Sequence, residues 1–193
     1  MGRRRRRSDE GETQEHRKKP IMKNIMLDLE TLGNKPGCVI VAIGAVRFGD
    51  GELGEEFYMR VEAQSCVRAG LKLEADTVLW WLRQSDVARN ELTKPGARTL
   101  AEGLNGFADF SKLKGEPQPL VWGNGSDFDN TILAAAYAAA DRSLPWNFWN
   151  NRCYRTLKAL RPDIKIENEG VKHNALDDAK AQARHLMAMF PQL

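Results

Sequence analysis

Apolar residues in the first third of the chain form short runs that are separated by turn-forming residues. The first run, residues 25–30, reads Ile-Met-Leu-Asp-Leu-Glu, and a Lys-Pro-Gly turn precedes a nearly continuous apolar run over 38–48. A Gly-Asp-Gly turn then leads to a third run over 55–61. Short apolar runs between such turns are typical of β-strands. The pattern predicts a meander whose second and third strands are antiparallel, and the second strand should be covered on both faces.

After residue 61 the apolar positions follow a helical spacing. Asp76 is expected to cap one helix, and Thr99 begins another with the sequence of a capping box. A fourth strand is predicted over 119–123, and it leads into a helix whose apolar stripe is formed by Ile132, Leu133, Ala136, Tyr137 and Ala140. A short helix near 153–160 and a last helix over 175–190 follow. This order predicts an α/β fold in three layers, with helices flanking a mixed central β-sheet.

Charge divides the 193-residue chain into a tail and a body. Residues 1–20 hold eight Lys or Arg and four acids, with no large apolar residue beyond the initiator Met, and should be disordered. The body, 21–193, is nearly neutral and suits one domain. Two interpretations of the Arg run at 3–7 stay open. It either adds non-specific attraction to nucleic acid, or it is a cloning remnant or mis-assigned start ahead of Met22.

Cysteine usage and hydropathy predict where the protein resides. Cys38, Cys66 and Cys153 are widely spaced and form no Cys-x-x-Cys pair, so we interpret them as reduced thiols. No run resembles the apolar core of a signal peptide, and none approaches the roughly 20 residues that span a bilayer. We therefore predict a cytoplasmic protein that has no contact with a membrane.

Two acidic residues interrupt the first strand. Asp28 and Glu30 are two positions apart, so in a strand their side chains share one face, with Cα atoms about 7 Å apart. Neighbouring anions at the edge of a core repel each other and lose hydration, and a divalent cation between them relieves both costs. The pair is therefore the first candidate for a metal site.

A third acid lies where the fourth strand's loop becomes a helix. Asp129 precedes Ile132 and Leu133 of the apolar stripe by three and four positions, so it should point inward toward the sheet. Asp127 has polar residues at those offsets and should point away, where a first-turn or capping role is sufficient.

The last helix supplies a fourth acid and a histidine. Asp178 lies at the border of the apolar stripe, whereas Asp177 aligns with Lys180 on the polar face, which favours Asp178 as a metal ligand. His173 lies in the loop before this helix. Each of these residues alone is a weak signal, but their combination is specific.

The combined motifs resemble those of the DEDDh family of 3′-5′ exonucleases. The matching patterns are D-x-E in the first strand, N-x-x-x-F-D at a later helix start and H-x-x-x-x-D at the final helix. The resemblance covers the body from about Met22 to Phe190. It is closest to the small branch that includes phage-encoded exonucleases and mycobacterial exoribonuclease-like proteins, through MLDLETLGNKPG (26–37), TVLWWLRQ (77–84), VWGNGSDFDN (121–130) and HNALDDA (173–179).

This resemblance implies a ribonuclease H-like fold and metal-dependent hydrolysis of phosphodiester bonds from the 3′ end. It implies that His173 is the general base and that the metal ligands are Asp28, Glu30, Asp129 and Asp178. All-oxygen ligation suits two Mg²⁺ or Mn²⁺ ions. The expected substrates are the 3′ ends of single-stranded DNA or RNA, and the products are nucleoside 5′-monophosphates. The extra acid Asp127 leaves the choice between it and Asp129 open.

Substrate contacts are expected around the first motif and on two helices. The resemblance implies that Thr31 contacts the terminal nucleotide and that Leu32 packs on its base. Adjacent Trp80 and Trp81 point about 100° apart on a helix, so one should be buried and the other free to stack on a base. Phosphates could be met by Arg155, together with Arg152, or both could lie on a solvated face.

The remaining tryptophans, Trp122, Trp146 and Trp149, are expected in the core. Related exonucleases are often dimers, and a homodimer stays open because no feature of the sequence identifies an interface.

Two other functions are consistent with part of the sequence. The Asp28-Leu29-Glu30-Thr31 segment is close to the D-x-D-x-T motif of haloacid dehalogenase-like phosphatases, but the later acidic motif of that class has no counterpart, and His173 and Asp178 would be unexplained. A nucleic-acid-binding module without catalysis could share the fold. All five catalytic positions are filled, which favours an enzyme.

Overall fold

The computed structural model describes residues 22–113, 118–165 and 170–193. The basic segment 1–20, for which disorder is predicted, lies outside these residues. The five strands of the described chain are β1 (Asn24–Thr31), β2 (Ile40–Gly49), β3 (Glu52–Arg60), β4 (Leu120–Gly123) and β5 (Asn151–Cys153). They form one sheet in the order β3-β2-β1-β4-β5.

Pairing in this sheet is mixed, as the sequence predicts. The first three strands form an antiparallel meander, whereas β4 pairs parallel with β1, and β5 pairs parallel with β4. β1 is thus central, and both of its neighbours contribute hydrogen bonds to it. Asp28 and Glu30 therefore lie in the middle strand of the sheet.

Helices cover both faces of the sheet. They are α1 (Ala63–Arg68), α2 (Ala75–Leu82), α3 (Asp86–Thr93), α4 (Leu100–Ser111), α5 (Asp129–Ala139), α6 (Tyr154–Leu160) and α7 (Ala175–Met189). One core cluster joins the sheet to α4 and α5 through buried Leu104, Phe107 and Ile132. The second joins the other sheet face to α6 and α7, with Tyr154 and Leu186 at its centre. These layers confirm the three-layer prediction. No helix among the described residues combines the length and apolar character that spanning a bilayer requires.

The beginning of α7 packs unusually close to the sheet at Gly44. This glycine lies opposite Asp28 in the pairing of β1 with β2. A Cβ atom at position 44 would lie 2.2 Å from the carbonyl carbon of Ala175, far inside van der Waals contact. Only glycine therefore allows the first turn of α7 to approach β1 at the level of its acids.

A similar approach brings α5 to the end of β4. A Cβ atom on Gly123 would lie 2.2 Å from Oδ1 of Asn130 and 3.1 Å from Cβ of Asp129. The Asn130 amide donates to the carbonyl of Val121 at 2.9 Å, which ties the first turn of α5 to the strand. Asp129 is consequently held against the central part of the sheet.

Two expectations from the sequence are wrong, and one strand is missing from them. α2 begins one residue before Asp76, with Glu74 at its N-cap, so Asp76 lies in the first turn and does not cap the helix. Residues 151–153 form an edge strand that three residues are too few to reveal in a hydrophobic pattern. Trp149 is 63 % exposed in a short 3₁₀ helix over 148–150, whereas Trp122 and Trp146 are buried as expected.

Candidate active site

A cleft of about 1780 Å³ lies where the parallel strands β1 and β4 end. Asp28 and Glu30 of β1 line it, together with residues of three helices. α2 contributes one wall, which contains Trp80 and Trp81, and α6 contributes another. The first two turns of α7 add Asp178 and neighbouring residues. The cleft therefore collects the chemistry that the sequence predicts from separate parts of the chain.

Glu30, His173 and Asp178 form the tightest group in the cleft. One potential ligand atom from each residue lies within 4.8 Å of those of the other two. The side chain of Asp28 is beside them and accepts a hydrogen bond from the amide of Gln182 at 2.7 Å. Asp28 and Glu30 both line the cleft, as their spacing in the strand predicts.

Asp129 lies behind this group and is only 1 % exposed. Its carboxylate accepts backbone N–H bonds from Leu29 at 3.1 Å and from Asn124 at 2.6 Å. The inward orientation predicted for it is therefore correct. Asp127 is exposed, so the structure places Asp129 and not Asp127 next to β1.

The carboxylates affect one another's protonation. Burial and the charges of Asp129, Glu30 and Asp178 raise the pKa of Asp28 well above its usual range, and the hydrogen bond from Gln182 acts in the opposite direction. Burial and the charges of Asp178 and Asp129 raise the pKa of Glu30 to about 8. Each anion therefore disfavours the next, because the cluster lacks a neighbouring positive charge strong enough to offset them.

Asp129 and Asp178 have partial compensation from backbone donors. Burial raises the pKa of Asp129 to about 6, even though the N–H groups of Asn124 and Leu29 lower it. Burial also raises the pKa of Asp178, against the lowering effect of the His173 N–H. Backbone hydrogen bonds thus favour the charged form of Asp129 and Asp178. No hydrogen-bond donor lowers the pKa of Glu30 in this way.

His173 is held in an unusual backbone conformation. Its φ of 64° is in the left-handed region, which is uncommon for a residue with a Cβ and often marks a functional site. Its N–H donates to Oδ2 of Asp178 at 3.0 Å. Its ring packs edge-on against Trp80 and Trp81, with centroid distances of 5.1 and 5.6 Å. The imidazole is therefore fixed between α2 and the acid cluster.

The N-cap of α7 is tied to another helix. Asn174 accepts N–H bonds from Leu176 and Asp177, and its amide donates to Glu91 of α3 at 3.3 Å. Glu91 is a buried carboxylate that also pairs with Lys94. This connection fixes the start of the helix that carries Asp178.

The residues expected to contact substrate differ in their exposure and in whether they line the cleft. Trp81 is buried and donates from its indole to the carbonyl of Thr31 at 2.8 Å, whereas Trp80 is 43 % exposed on the cleft wall. Thr31 and Arg155 also line the cleft. Leu32 is the exception, because its side chain packs against the larger core cluster and is not part of the cleft lining.

Sequence reasoning missed Gln182 and the contact between Asn174 and Glu91. Gln182 lies four residues after Asp178, so the two share a helix face, and this spacing was a usable signal. Its Oε1 atom is buried without a protein partner, and the residue lines the cleft. Nothing in the sequence indicates that α3 would reach Asn174.

The donor set fits a divalent cation. Four carboxylates from β1, α5 and α7 surround one region, and their mutual repulsion is the energetic cost that a bound cation would remove. Carboxylate oxygens are the ligands that hard cations such as Mg²⁺ and Mn²⁺ prefer. The residues are therefore suited to such ions.

Comparisons with known structures agree with this geometry. The nuclease domain of 3′hExo, described as a DEDDh family member bound to rAMP, has 15 % identity and a TM-score of 0.59, covering 89 % of this chain and 92 % of that one. The 3′-exonuclease that recognises the histone mRNA stem-loop has 16 % identity and a TM-score of 0.60, covering 90 % and 84 %. Exonuclease X in complex with 5′ overhanging duplex DNA has 16 % identity and a TM-score of 0.56, covering 87 % and 91 %.

These likenesses show a ribonuclease H-like α/β fold of the kind found in DEDDh exonucleases. No curated protein sequence matches the chain significantly. The family model of the 3′-5′ exoribonuclease Rv2179c-like domain matches residues 23–190. The chain therefore belongs to this family, and it is a phosphodiester hydrolase of the 3′-5′ exonuclease type. The match confirms the resemblance seen in the motifs and supports it over the phosphatase alternative.

Proposed function

We propose that this protein removes nucleotides from the 3′ end of single-stranded DNA or RNA by metal-dependent hydrolysis and releases nucleoside 5′-monophosphates. The observation that carries the proposal is the grouping of Glu30, Asp178 and His173 within 4.8 Å in a cleft wide enough for a strand end. A metal site and a base within reach of one position are what hydrolysis of a phosphodiester requires.

Two Mg²⁺ or Mn²⁺ ions are the proposed cofactors, and Asp28, Glu30, Asp129 and Asp178 would hold them. When bound, such ions supply Lewis acidity that activates water and neutralises the charge developing on the phosphate. Asp129 has both oxygens committed to backbone N–H groups, but each carboxylate oxygen has a second lone pair for a cation.

His173 is the proposed general base. Its ring is confined by Trp80 and Trp81, so the imidazole stays beside Asp178 and Glu30 and does not rotate freely into solvent. There it would accept the proton from the attacking water, while the leaving 3′ oxygen departs from the phosphorus. Confinement reduces the entropy that is lost when the base is oriented for this step.

The α2 wall is suited to the terminal nucleotide. Trp80 offers a half-exposed indole beside His173, and stacking of a base on an aromatic ring contributes about 1 to 3 kcal/mol. Trp81 supports it from behind by holding the Thr31 carbonyl. Thr31 and Arg155 remain proposed substrate contacts because both line the cleft. A contact from Leu32 stays a prediction, since its side chain is only partly buried against the core cluster.

The direction and the product can be tested with one labelled strand. A 5′-labelled oligonucleotide incubated with Mg²⁺ or Mn²⁺ should give a ladder of shortened products, whereas a 3′-labelled one should release labelled mononucleotide at once. Asp28→Ala should abolish both signals and His173→Ala should reduce them about 10²-fold, and Asp127→Ala is the matched control because that acid is exposed. Binding without any metal-dependent product from the wild-type protein would contradict the proposal.

The nucleic-acid type depends on contacts to the 2′-hydroxyl. Parallel digestion of matched single-stranded DNA, single-stranded RNA and duplexes with recessed or overhanging 3′ ends ranks these substrates by kcat/KM. Equal or higher kcat/KM on duplexes with recessed 3′ ends would contradict the preference for single strands. Size-exclusion chromatography with light scattering tests whether the protein is a homodimer.

A further inference from the structure

Basic residues form part of the lining of the cleft. Two cations of the lining lie on α6, one follows α6 and one precedes α7. They are Arg155, Lys158, Lys165 and Lys172. Arg155 and Lys158 are three residues apart on a helix, so their side chains neighbour each other on its surface. All four are exposed, which leaves their charged groups accessible to a ligand.

None of these four cations forms an ion pair with a described residue. Eight ion pairs hold basic side chains elsewhere in the described chain, for example Arg68 with Glu62 and Lys112 with Asp109. Even Arg161, which also lines the cleft, is paired with Asp163 at 3.1 Å. Positive charges that have no ion-pair partner among the described residues are available to an anionic ligand in the cleft.

The α2 wall has the opposite electrostatic character. Its lining residues are Asp76, Thr77, Trp80 and Trp81, with Asn34 nearby, so it offers aromatic surface and one negative charge. A polyanion leaving the acid cluster would be repelled on this side and attracted on the α6 side. The two walls therefore separate recognition of the base from recognition of the phosphates.

We propose that Arg155, Lys158, Lys165 and Lys172 form a phosphate-binding strip for the part of the strand that lies 5′ of the scissile bond. The strip rests on the proposed exonuclease function and specifies how that function selects its substrate. The terminal nucleotide lies between the acids and Trp80, and the preceding phosphates follow α6 away from the metal site. Strands long enough to reach the strip are held more tightly than dinucleotides.

Lys158 also has an interaction inside the protein that must be separated from this role. Its ammonium lies 5.8 Å from the centre of the Tyr154 ring. Lys158 is also in the last turn of α6, where the helix dipole stabilises a cation. A structural role would change the melting temperature when Lys158 is replaced. It would not change how strongly binding depends on salt.

The test uses the double variant Lys158→Gln/Lys165→Gln and the full chain. The matched control is Lys23→Gln/Lys72→Gln, which removes the same charge from exposed positions outside the cleft lining. Fluorescence anisotropy with a 5′-labelled strand of about 15 nucleotides, in Ca²⁺ to slow cleavage, gives Kd at several salt concentrations. Each lost phosphate contact should reduce the slope of log K against log salt by about 0.7, so the double variant should lose about 1.4.

Cleavage supplies the second readout. In Mg²⁺, kcat/KM of the strip variant should fall roughly tenfold more on the long strand than on a dinucleotide, on the scale of two lost phosphate contacts. The control variant should match the wild type in both slope and cleavage. A slope equal to that of the control, or equal losses on both substrates, would overturn the strip.

The two proposals fail in distinguishable ways. If the wild type cleaves neither substrate, the proposed function is wrong, but the salt slopes still decide whether the strip binds phosphates. If the wild type binds no strand of either nucleic acid, the strip is wrong as well.

Discussion

The catalytic cluster has two halves that the protein supports in different ways. Asp28 and Glu30 belong to the central strand of the sheet, where hydrogen bonds to β2 and β4 and the buried side chains on either side fix the backbone. His173 and Asp178 belong to the loop and first turn of α7, where side-chain caps and a left-handed residue set the geometry.

The strand half and the helix half therefore contribute differently to the site. The strand half concentrates negative charge in a rigid place, so replacing its residues should alter metal binding and leave the fold intact. The helix half depends on a few hydrogen bonds, so replacing its supports should alter the orientation of His173 and Asp178 relative to the strand half. The predictions below use this contrast, from the largest expected effect to the smallest.

The largest effect is expected for the strand half. Asp28→Asn should lower kcat/KM by about 10³-fold or more, because one ligand's charge is lost where the cation binds. The same change should raise the melting temperature in EDTA, because it removes a buried carboxylate that lies beside three other acids. Burial and those acids both raise the pKa of Asp28. Calorimetry and initial rates measure the two effects, with Asp127→Asn as the control. A melting temperature that falls in EDTA would show that Asp28 has a structural role.

A smaller loss is expected for the base. His173→Ala should reduce kcat by about 10²-fold, the lower end of what a general base contributes, while the affinity for Mn²⁺ measured by titration calorimetry should stay close to that of the wild type. Because the imidazole lies within 4.8 Å of ligand atoms of Glu30 and Asp178, the opposite result is informative. If Mn²⁺ affinity falls as much as it does in Glu30→Gln, His173 is a metal ligand and not the base.

A still smaller loss is expected when the support of the helix half is removed. Glu91→Ala should lower kcat about tenfold with little change in KM, because Asn174 loses its partner and the start of α7 shifts relative to β1. Glu91→Gln keeps an oxygen acceptor for the Asn174 amide and should recover most of the activity. Equal losses in the two variants would mean that the charge of Glu91, and not its hydrogen bond, is what matters.

The smallest effect is a pH dependence of stability in the metal-free protein. The pKa of Glu30 is raised to about 8 from its ordinary value near 4.5, so the folded state binds this proton more tightly than the unfolded state. The contribution of Glu30 to stability is then highest below about pH 4.5 and decreases as the pH rises toward about 8. In EDTA, the melting temperature of Glu30→Gln should fall less over this range than that of the wild type. Saturating Mg²⁺ should suppress the fall, and an unchanged pH profile in Glu30→Gln would contradict the assignment.

The sequence predicts the strand half well because its information is local. The spacing of Asp28 and Glu30, and the offsets from Asp129 to the apolar stripe, each follow from the geometry of one element. The contact between Gln182 and Asp28 joins residues 154 positions apart in the chain, and no local pattern encodes it. Leu32 shows the same limit, since its motif position implied a substrate contact, whereas its partly buried side chain packs against the core cluster and is not part of the cleft lining.

Elements at the edge of the sheet were harder to predict for another reason. β5 contains three residues, and its pairing with β4 is formed by the backbone, so its side chains show no periodicity. Trp149 was expected in the core because large aromatic residues are usually well buried, yet the adjoining 3₁₀ helix turns it outward. Hydrophobicity alone does not specify burial where a chain runs along an open edge.

Gly44 has a consequence for how relatives of this protein should be interpreted. A single methyl group at this position would push the first turn of α7 off β2, and Asp178 and His173 would move away from Asp28 and Glu30. Such a chain would keep every catalytic residue in its motifs and would still be recognised as an exonuclease by them. A homologue with a side chain here would need α7 to pack differently on the sheet, so its motifs alone would not specify the distance between the two halves of its centre.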